Sequence, residues 1–568
     1  MKFFVTISTL VALTAFSSAA VTNSDISTID IVGNKFFYND TGEQFFLKGI
    51  AYQRSRREGE DFDRSKEVPY IDSLANITTC LRDLPLLVEL GVNVIRVYQI
   101  DPNADHDICM NALASKGIYV LADMAESEMS IVRNNPNWDT TLYTRYTSVV
   151  DALHKYNNLL GLIAGNEVTN TKYNTDASPF VRAAIRDVRK YIKNSGYRKI
   201  PLGYASNDDP EIRKSLSNYF VCEDPATRCS TADFFGLNTY EWCGYSTYAT
   251  SGYRDLTIEY SKFPVPIFFS EFGCNAVSPR PFTEVEALYG STMAKVWSGG
   301  IVYEYFQEVN NYGVVKENDD GSVAKLEDFE FLKQRYNSVI PQGITAAEES
   351  AREIPKLNCS GQNDIWKANT SLPLIPSSGK CDCIYESFKC TANPANLDND
   401  LLKEICSNID CSEISANGTT GVYGPYSDCS LQQKLSYVLN KQYIEGGNKT
   451  ELCDYDGKAL LDDSVKSNKT LTESCKVHIT RLAEDGQKKW LEYNYFWSLL
   501  KNTYPQVQYP HLENRQVQQS PSNPKLLSPL ANGTNGSIAK NDGGYTQTAK
   551  ALSCLVPVGI AIGVLLCF

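Results

Sequence analysis

Two glutamates near the ends of apolar segments are the residues best suited to carry out chemistry. Glu167 closes the segment LLGLIAGNE, and Glu271 lies near the end of VPIFFSEFG. Cleavage of a glycosidic bond with retention needs one acid to protonate the leaving oxygen and one carboxylate to attack the anomeric carbon. A single glutamate in such a position is most often a solvated loop residue, so the hypothesis requires both side chains to meet at one site.

The elements that must bring these glutamates together are eight apolar runs that alternate with helix-like stretches between residues 21 and 345. The runs are QFFLKGIAY, VNVIRVYQI, GIYVLADMA, LLGLIAGNE, IPLGYA, DFFGLNTYEW, VPIFFSEFG and GGIVYEYFQE. Nearly continuous Val, Ile, Leu and Phe segments indicate strands that are buried on both faces and therefore parallel. The pattern predicts an α/β fold, a (β/α)8 barrel, with a doubly wound open sheet as the alternative. Because all strands of a barrel end at one mouth, we expect Glu167 and Glu271 to converge there.

The composition argues against several other classes of function. The formal net charge is −13 and the pI is about 5.1, which disfavours a polyanionic partner such as nucleic acid. The four histidines are far apart in the sequence, which argues against a His-rich zinc site and a Ser–His triad. The chain has no GxxxxGK[ST] phosphate loop. We therefore expect no nucleic acid partner, no cofactor and no metal.

Both ends of the chain carry targeting patterns. Residues 1–20 have the basic, apolar and small-residue layout of a signal peptide. Residues 542–568 combine a polar spacer with an apolar tail, as a GPI signal does, and Asn541 is the predicted attachment site, with Asn535 as the alternative. A C-terminal membrane helix is the competing interpretation, but no basic segment follows the tail. We expect a secreted protein anchored by a GPI lipid at the extracellular face of the plasma membrane, with transfer to the cell wall as a further option.

Secretion makes the 17 cysteines candidates for disulfide bonds. Eight of them fall within residues 379–478 and indicate a compact, disulfide-rich α+β module, because the paired CxxC spacing of a zinc site is absent. Residues 346–378 lack any period and are interpreted as a linker. Residues 479–541 form an aromatic segment and a polar tail. Nine N-x-[ST] sequons agree with an extracellular glycoprotein.

Several motifs, in this order, resemble the fungal GPI-anchored β-1,3-glucanosyltransferases, family 72 of the glycoside hydrolases. These motifs are RVYQIDP, GNE, NTYEWCGYS, SEFG and YEYF. The cysteine-rich module resembles the family 43 carbohydrate-binding module, and the resemblance extends to about residue 478. It implies an enzyme that cleaves an internal β-1,3-glucan bond and transfers the new reducing end to the non-reducing end of another glucan, which elongates wall glucan.

The resemblance also implies roles for individual residues. Glu167 would be the general acid/base, Glu271 the nucleophile, and Asn166 a hydrogen-bond partner of the sugar 2-hydroxyl. Five other positions match glucan-contacting residues of the family, namely Tyr98, Tyr240 and Tyr303 in the donor groove and Asp208 and Arg213 near the barrel rim. For Tyr240 and Tyr303 the alternative is that the rings pack in the core. For Asp208 and Arg213 the alternative is a surface salt bridge.

The implied mechanism sets electrostatic expectations. We expect burial to raise the pKa of Glu167, and Glu271 to stay ionised through hydrogen bonds from tyrosine hydroxyls and Asn166. Trp242 and Tyr305 are expected to present aromatic faces to acceptor sugars.

By the same resemblance, the expected disulfides are Cys80–Cys109, Cys222–Cys359, Cys243–Cys274, Cys381–Cys429, Cys383–Cys475, Cys390–Cys453 and Cys406–Cys411. The eight module cysteines alone allow 105 connectivities, so these pairs rest on the family pattern. The pattern assigns no disulfide to Cys229.

Two other functions stay open at this level. An endo-β-1,3-glucanase would share both glutamates and give only shortened products, and a catalytically silent wall protein would only bind glucan. The expected partners are donor and acceptor β-1,3-glucan chains and the GPI lipid, and we expect a monomer.

Overall fold

The computed structural model describes residues 26–55, 70–223 and 228–462. The predicted signal peptide, the aromatic and polar segment and the GPI site lie outside these residues. No helix within the described ranges is long and apolar enough to cross a membrane.

Eight parallel strands close into a barrel, which confirms the predicted fold class. The strands are β1 Leu47–Ala51, β2 Val94–Val97, β3 Tyr119–Asp123, β4 Leu159–Asn166, β5 Leu202–Asn207, β6 Phe234–Asn238, β7 Ile267–Phe272 and β8 Trp297–Val302. Each strand pairs with the next along the chain, and β8 pairs with β1. Every strand falls on one of the eight apolar runs, and almost all strand residues are buried.

Helices surround the barrel. They are α1 Ile77–Leu90, α2 Asp107–Ala114, α3 Thr140–Leu153, α4 Ser178–Asn194, α5 Arg213–Val221, α6 Tyr253–Glu259, α7 Glu284–Leu288 and α8 Glu327–Ser338. Local sequence sets the limits of α1: the Asn76 side chain accepts a hydrogen bond from the backbone of Thr79, and the helix ends at Gly91 with φ +79°. Short 3-10 helices span Thr175–Ala177, Arg228–Ser230 and Met293–Lys295.

A small antiparallel sheet covers the amino-terminal end of the barrel. Its strands are Ile29–Val32, Lys35–Tyr38 and Gln44–Phe45. Phe36 packs against Phe234 and Phe268, and Phe45 packs against Tyr119, which all lie at or near the start of barrel strands. This end is therefore filled by aromatic side chains, and the carboxyl end stays open for a site. Two further two-stranded sheets pair Arg54–Ser55 with Tyr70–Ile71 and Val315–Glu317 with Val323–Lys325.

The segment interpreted as a linker packs along the barrel. It contains helix α9, Ala346–Ser350, and Cys359 forms a disulfide with Cys222 of the barrel. The Trp366 side chain is 0% exposed and its ring lies 5.4 Å from that of Tyr219. The lack of periodicity indicated a linker, whereas the structure buries Trp366 of this segment against Tyr219 of α5.

The cysteine-rich module has three helices, α10 Ser378–Tyr385, α11 Asn399–Cys406 and α12 Leu431–Glu445. Strand Cys390–Ala392 pairs with Ala459–Leu461, and Ala416–Asn417 pairs with Val422–Tyr423. Short 3-10 helices span Pro394–Asn396 and Thr450–Cys453.

The disulfides agree with the expected pattern wherever both cysteines are described. The barrel contains Cys80–Cys109, Cys222–Cys359 and Cys243–Cys274, and the module contains Cys381–Cys429, Cys390–Cys453 and Cys406–Cys411. Cys383 is disulfide-bonded, and its expected partner Cys475 lies outside the described residues. Cys229 is exposed, and its carbonyl accepts a hydrogen bond from Arg189 Nη1 at 2.6 Å.

The module contacts the barrel directly. Lys434 of α12 donates to Asn137 Oδ1 at 3.0 Å, and the Thr140 amide at the start of α3 donates to the Asp428 carbonyl at 3.0 Å. The Tyr423 ring lies 6.0 Å from the Phe180 ring of α4. Barrel, connecting segment and module therefore pack against one another.

We expect Trp366→Ala to lower the free energy of unfolding by about 3–5 kcal/mol, because it empties a fully buried site between the segment and the barrel. Chemical denaturation followed by circular dichroism measures this loss. Asp364→Ala is the matched control, since Asp364 is exposed two residues away and should change stability by less than about 0.5 kcal/mol. Equal effects of both changes would contradict the packing described here.

Candidate active site

The two glutamates occupy one cavity at the carboxyl end of the barrel. Glu167 directly follows β4, and Glu271 is the penultimate residue of β7. Both line a cavity of about 500 Å³, together with Tyr98, Asn166 and Tyr303. The barrel thus brings these predicted site residues together.

Glu271 is held by three donors. Its Oε1 accepts from Tyr98 Oη at 3.0 Å and from Arg96 Nη1 at 3.2 Å, and its Oε2 accepts from Tyr240 Oη at 3.0 Å. Burial raises the pKa of Glu271, while the Arg96 charge and the two hydroxyl groups act in the opposite direction. The pairing register of β6 and β7 shifts just before Glu271, which pairs with Asn238. Such a register shift changes the direction in which a side chain points, and it is common next to active sites.

Arg96 is a buried cation beneath the cavity, and sequence reasoning missed it. Its side chain is 0% exposed, and its Nε and Nη2 donate to the two oxygens of Asp123 at 3.2 and 3.1 Å. Its Nη2 also donates to Asn166 Oδ1 at 3.1 Å. The available signal was a charged residue inside the apolar run VNVIRVYQI, followed by a carboxylate at the end of the next strand.

Glu167 has an unusual backbone conformation. Its φ is +50°, a region that residues other than glycine rarely adopt and that is often found at functional sites. The Glu167 amide donates to the Ala205 carbonyl at 2.8 Å, and Arg133 Nη2 donates to the Glu167 carbonyl at 2.7 Å. These bonds fix the backbone from β5 on one side and from the loop after β3 on the other.

Asn238, also missed from sequence, orients the glutamate side chain. Its Nδ2 donates to Glu167 Oε1 at 2.8 Å and to Asn166 Oδ1 at 3.1 Å. Ser270 Oγ donates to Asn238 Oδ1 at 2.7 Å, which sets the orientation of the amide. The amide at the end of β6 therefore connects Glu167 to Asn166.

Asn166 does not support Glu271 in the expected way. Its Oδ1 accepts from both Arg96 and Asn238, and arginine has no acceptor atom, so the oxygen must face the guanidinium. Asn166 therefore acts on Glu271 through Arg96, and its hydrogen bond to the sugar 2-hydroxyl stays a prediction.

The tyrosines divide into two groups. Tyr98 and Tyr240 contact Glu271, whereas Tyr303 follows β8, lines the cavity, and has its ring 6.4 Å from the Tyr98 ring.

The expectation that Trp242 and Tyr305 present aromatic faces to acceptor sugars is wrong. Both are buried: Trp242 Nε1 donates to Thr283 Oγ1 at 2.9 Å, and the Tyr305 ring packs against Tyr52 and Phe306. Neither ring has a face available to a sugar, because both rings belong to the buried hydrophobic core.

Asp208 and Arg213 form a salt bridge at the rim. Arg213 Nη1 lies 2.6 Å from Asp208 Oδ1 and Arg213 Nη2 lies 3.1 Å from Glu259 Oε2. Asp208 Oδ2 accepts from Thr239 Oγ1 at 2.9 Å, next to Tyr240 in the chain. The pair thus connects the loop after β5 to the loop after β6, and its contact with glucan stays a prediction.

A third carboxyl group, Glu304, lines the same cavity. It is 3% exposed and accepts a hydrogen bond from Asn310 Nδ2 at 2.9 Å. Burial, together with the nearby Glu308 and Glu271 carboxylates, raises the pKa of Glu304 to about 7, against the lowering effect of the Asn310 hydrogen bond. Sequence reasoning missed this residue because its motif, YEYF, drew attention to the tyrosines.

Comparison with known proteins agrees with this geometry. A family described as glucanosyltransferase matches residues 18–340, and one described as X8 domain matches residues 383–460. The 1,3-beta-glucanosyltransferase PGA5 of Candida albicans is 55% identical over 455 residues, which cover 77% of this chain and 71% of that protein. The 1,3-beta-glucanosyltransferase GAS2 of Saccharomyces cerevisiae is 49% identical over 471 residues, 81% of this chain and 84% of that protein.

A solved structure of Saccharomyces cerevisiae Gas2p in complex with laminaritriose and laminaritetraose superposes with a TM-score of 0.72. It is 50% identical in sequence and covers 78% of this chain and 98% of that chain.

Removing the Arg96 charge should move the pH dependence of the reaction. Arg96 favours the ionised form of Glu271, so Arg96→Met should raise the pKa of Glu271 and shift the acid limb of kcat/KM upward by about 1–3 pH units. Arg96→Lys keeps the charge and should shift the limb less. A pH profile of kcat/KM measures this, and an unchanged acid limb in a folded Arg96→Met protein would contradict the assignment.

Glu304 should make stability depend on pH. Its pKa is about 7 in the folded protein and near 4.5 ordinarily, so the folded state keeps a proton that the unfolded state has released. Stability should therefore fall as pH rises from about 4.5 to about 7, by up to ~1.4 kcal/mol per pH unit. Glu304→Gln should remove this contribution in denaturation measured across that range. Glu330→Gln, at an exposed site, is the control. If the free energy of unfolding changes with pH equally in both variants, Glu304 does not make this contribution.

Proposed function

The chain belongs to the glucanosyltransferase family, and from that membership and the site geometry we propose how its residues carry out the reaction. The protein is a β-1,3-glucanosyltransferase. It cleaves an internal bond of a β-1,3-glucan and transfers the new reducing end to the non-reducing end of another glucan with retention.

In the first step, Glu271 attacks the anomeric carbon of the donor. The bond from that carbon to the leaving oxygen breaks, Glu167 gives its proton to the oxygen, and a covalent glycosyl-enzyme forms. Tyr98, Tyr240 and Arg96 hold the attacking carboxylate in place. The Asn166 amide donates to the sugar 2-hydroxyl, where a hydrogen bond strengthens as the oxocarbenium character develops.

In the second step, the non-reducing end of an acceptor chain replaces the leaving fragment. Glu167, now ionised, takes the proton of the acceptor hydroxyl, whose oxygen attacks the anomeric carbon and releases Glu271. Two displacements at one carbon return the β configuration, and the acceptor chain is longer by the transferred segment. No nucleotide sugar takes part.

One observation supports this assignment most directly. The two glutamates line one cavity and are connected by continuous hydrogen bonds through Arg96, Asn166 and Asn238. A shared network gives the two carboxyl groups different environments: Glu271 has a cation beside it, whereas Glu167 has a neutral amide. Such a difference is what separates a nucleophile from an acid in glycosidases.

The targeting patterns at the two ends of the sequence support a proposal for the location of the reaction. We place the protein outside the cell, after removal of residues 1–20, with a GPI lipid on Asn541 at the plasma membrane or after transfer to the wall. The module would hold glucan near the barrel. Mass spectrometry of the mature termini and of the lipid-bearing peptide tests this placement.

The central experiment is a product analysis with a reduced laminari-oligosaccharide. The purified protein should give products both longer and shorter than the starting chain, whereas only shorter products would identify a hydrolase. Glu271→Gln and Glu167→Gln should each lower turnover by at least about 10²–10⁴-fold while glucan binding persists. Full turnover by either folded variant would remove that residue from the mechanism.

A further inference from the structure

Glu304 is a third carboxyl group in the catalytic cavity, and the mechanism described above does not use it. It lies just after β8 and lines the cavity together with Glu167 and Glu271. Its backbone is fixed on both sides, because its amide donates to the Tyr312 carbonyl at 3.0 Å and its carbonyl accepts from the Val314 amide at 3.2 Å. The side chain is therefore held at the cavity wall.

The surroundings of Glu304 suit a neutral acid better than a carboxylate. Its Oε1 accepts from Asn310 Nδ2 at 2.9 Å, but no arginine, lysine or histidine of the described ranges forms an ion pair with its carboxyl group. Glu308 and Glu271 instead place two further carboxylates nearby. A buried carboxylate without a cation is costly, and neighbouring negative charges add to that cost. Glu304 therefore keeps its proton under acidic conditions.

Arg280 reaches the same loop but binds its backbone. Its Nη1 donates to the Tyr303 carbonyl at 2.7 Å and its Nη2 to the Tyr312 carbonyl at 2.5 Å. Its Nε lies 2.6 Å from Asp328 Oδ2, so its charge is paired with Asp328 rather than with Glu304. The other charged or titratable residues that line the cavity belong to other strands and their loops, and they are Tyr98, Asp123, Glu126, Arg133, Tyr146, Glu167 and Glu271.

Asn310 connects Glu304 to Tyr303, the tyrosine that lines the cavity. Its Nδ2 group donates to Glu304 Oε1 and also to Tyr303 Oη, at 3.4 Å. The Tyr303 hydroxyl in turn forms a hydrogen bond with Glu304 that favours the ionised acid. A carboxylate is a stronger acceptor than a neutral acid. Ionised Glu304 therefore draws the proton of the Tyr303 hydroxyl toward itself, whereas neutral Glu304 competes for it less well than a sugar oxygen does.

We infer that Glu304 is a positioning residue for Tyr303: its protonated form directs the Tyr303 hydroxyl to the glucan, and its ionised form withdraws that hydroxyl. The inference rests on the proposed function, because it gives the hydroxyl a sugar partner. The proton that leaves Glu304 passes to solvent, and no bond of the glucan changes. Glucan binding should therefore weaken as the pH rises through the pKa of Glu304, about 7.

The test measures the affinity for laminaripentaose by isothermal titration calorimetry, from about pH 5.5 to about pH 8.5, which spans the pKa of Glu304. Every protein carries Glu167→Gln, which prevents turnover of the ligand and removes the titration of the acid/base group. We expect the affinity of this background protein to fall about tenfold over the range, the loss of roughly one hydrogen bond.

Two variants separate positioning from other effects. Glu304→Gln keeps the size of the side chain but cannot ionise, so the affinity should no longer depend on pH. Tyr303→Phe keeps the ring and lacks the hydroxyl, so the affinity should be about tenfold weaker at the acidic end and independent of pH.

Glu308→Gln is the matched control on the same loop. Glu308 Oε1 accepts from the Ser55 amide at 3.0 Å, and its charge contributes to the raised pKa of Glu304. Removing that charge should leave the pH dependence in place and move its midpoint to lower pH.

A constant affinity of the background protein across the range would refute the inference and leave the proposed function standing. A pH dependence that survives in Glu304→Gln or in Tyr303→Phe would refute it as well, because another group would then be responsible. If the background protein binds no laminaripentaose at any pH and the unaltered protein forms no transfer products, the proposed function itself fails.

Discussion

Arg96 is a cation with no exposed surface at the carboxyl end of the barrel, and an unpaired charge in such a place would be prohibitively costly. Asp123 and Glu271 compensate it from β3 and β7, and Asn166 adds a neutral acceptor from β4. One side chain of β2 thereby fixes groups on three other strands. The Arg96 guanidinium favours the ionised form of Glu271 and so opposes the rise in the pKa of Glu271 that burial causes.

The barrel supplies the geometry that this pairing needs. Aromatic residues of the small antiparallel sheet fill the amino-terminal end, whereas the network of Arg96, Asp123 and Glu271 lies at the carboxyl end. Register shifts in the pairs β4–β5 and β6–β7 occur close to Glu167 and Glu271. The fold thus departs from regular pairing at the two strands that carry the reacting groups, where a change in side-chain direction matters most.

Apolar periodicity was sufficient to predict all eight strands, because strands buried on both faces leave a strong local signal. The end-of-strand positions of Glu167 and Glu271 followed from the same pattern. Arg96 and Asn238 were missed because their importance comes from contacts between distant strands, which periodicity does not encode. Trp242 was misassigned for a related reason: an aromatic residue near a strand end can face either the cavity or the core, and only the packing of the following loop decides between them.

The central claim is that Glu271 forms a covalent bond with the donor sugar, and trapping that intermediate tests it most directly. The protein would be incubated with a 2-deoxy-2-fluoro laminari-oligosaccharyl donor that carries a good leaving group, and its proteolytic peptides analysed by mass spectrometry. The account predicts a glycosyl adduct on Glu271 that disappears when an acceptor oligosaccharide is added. An adduct on another residue, or continued turnover of the donor without any adduct, would contradict it.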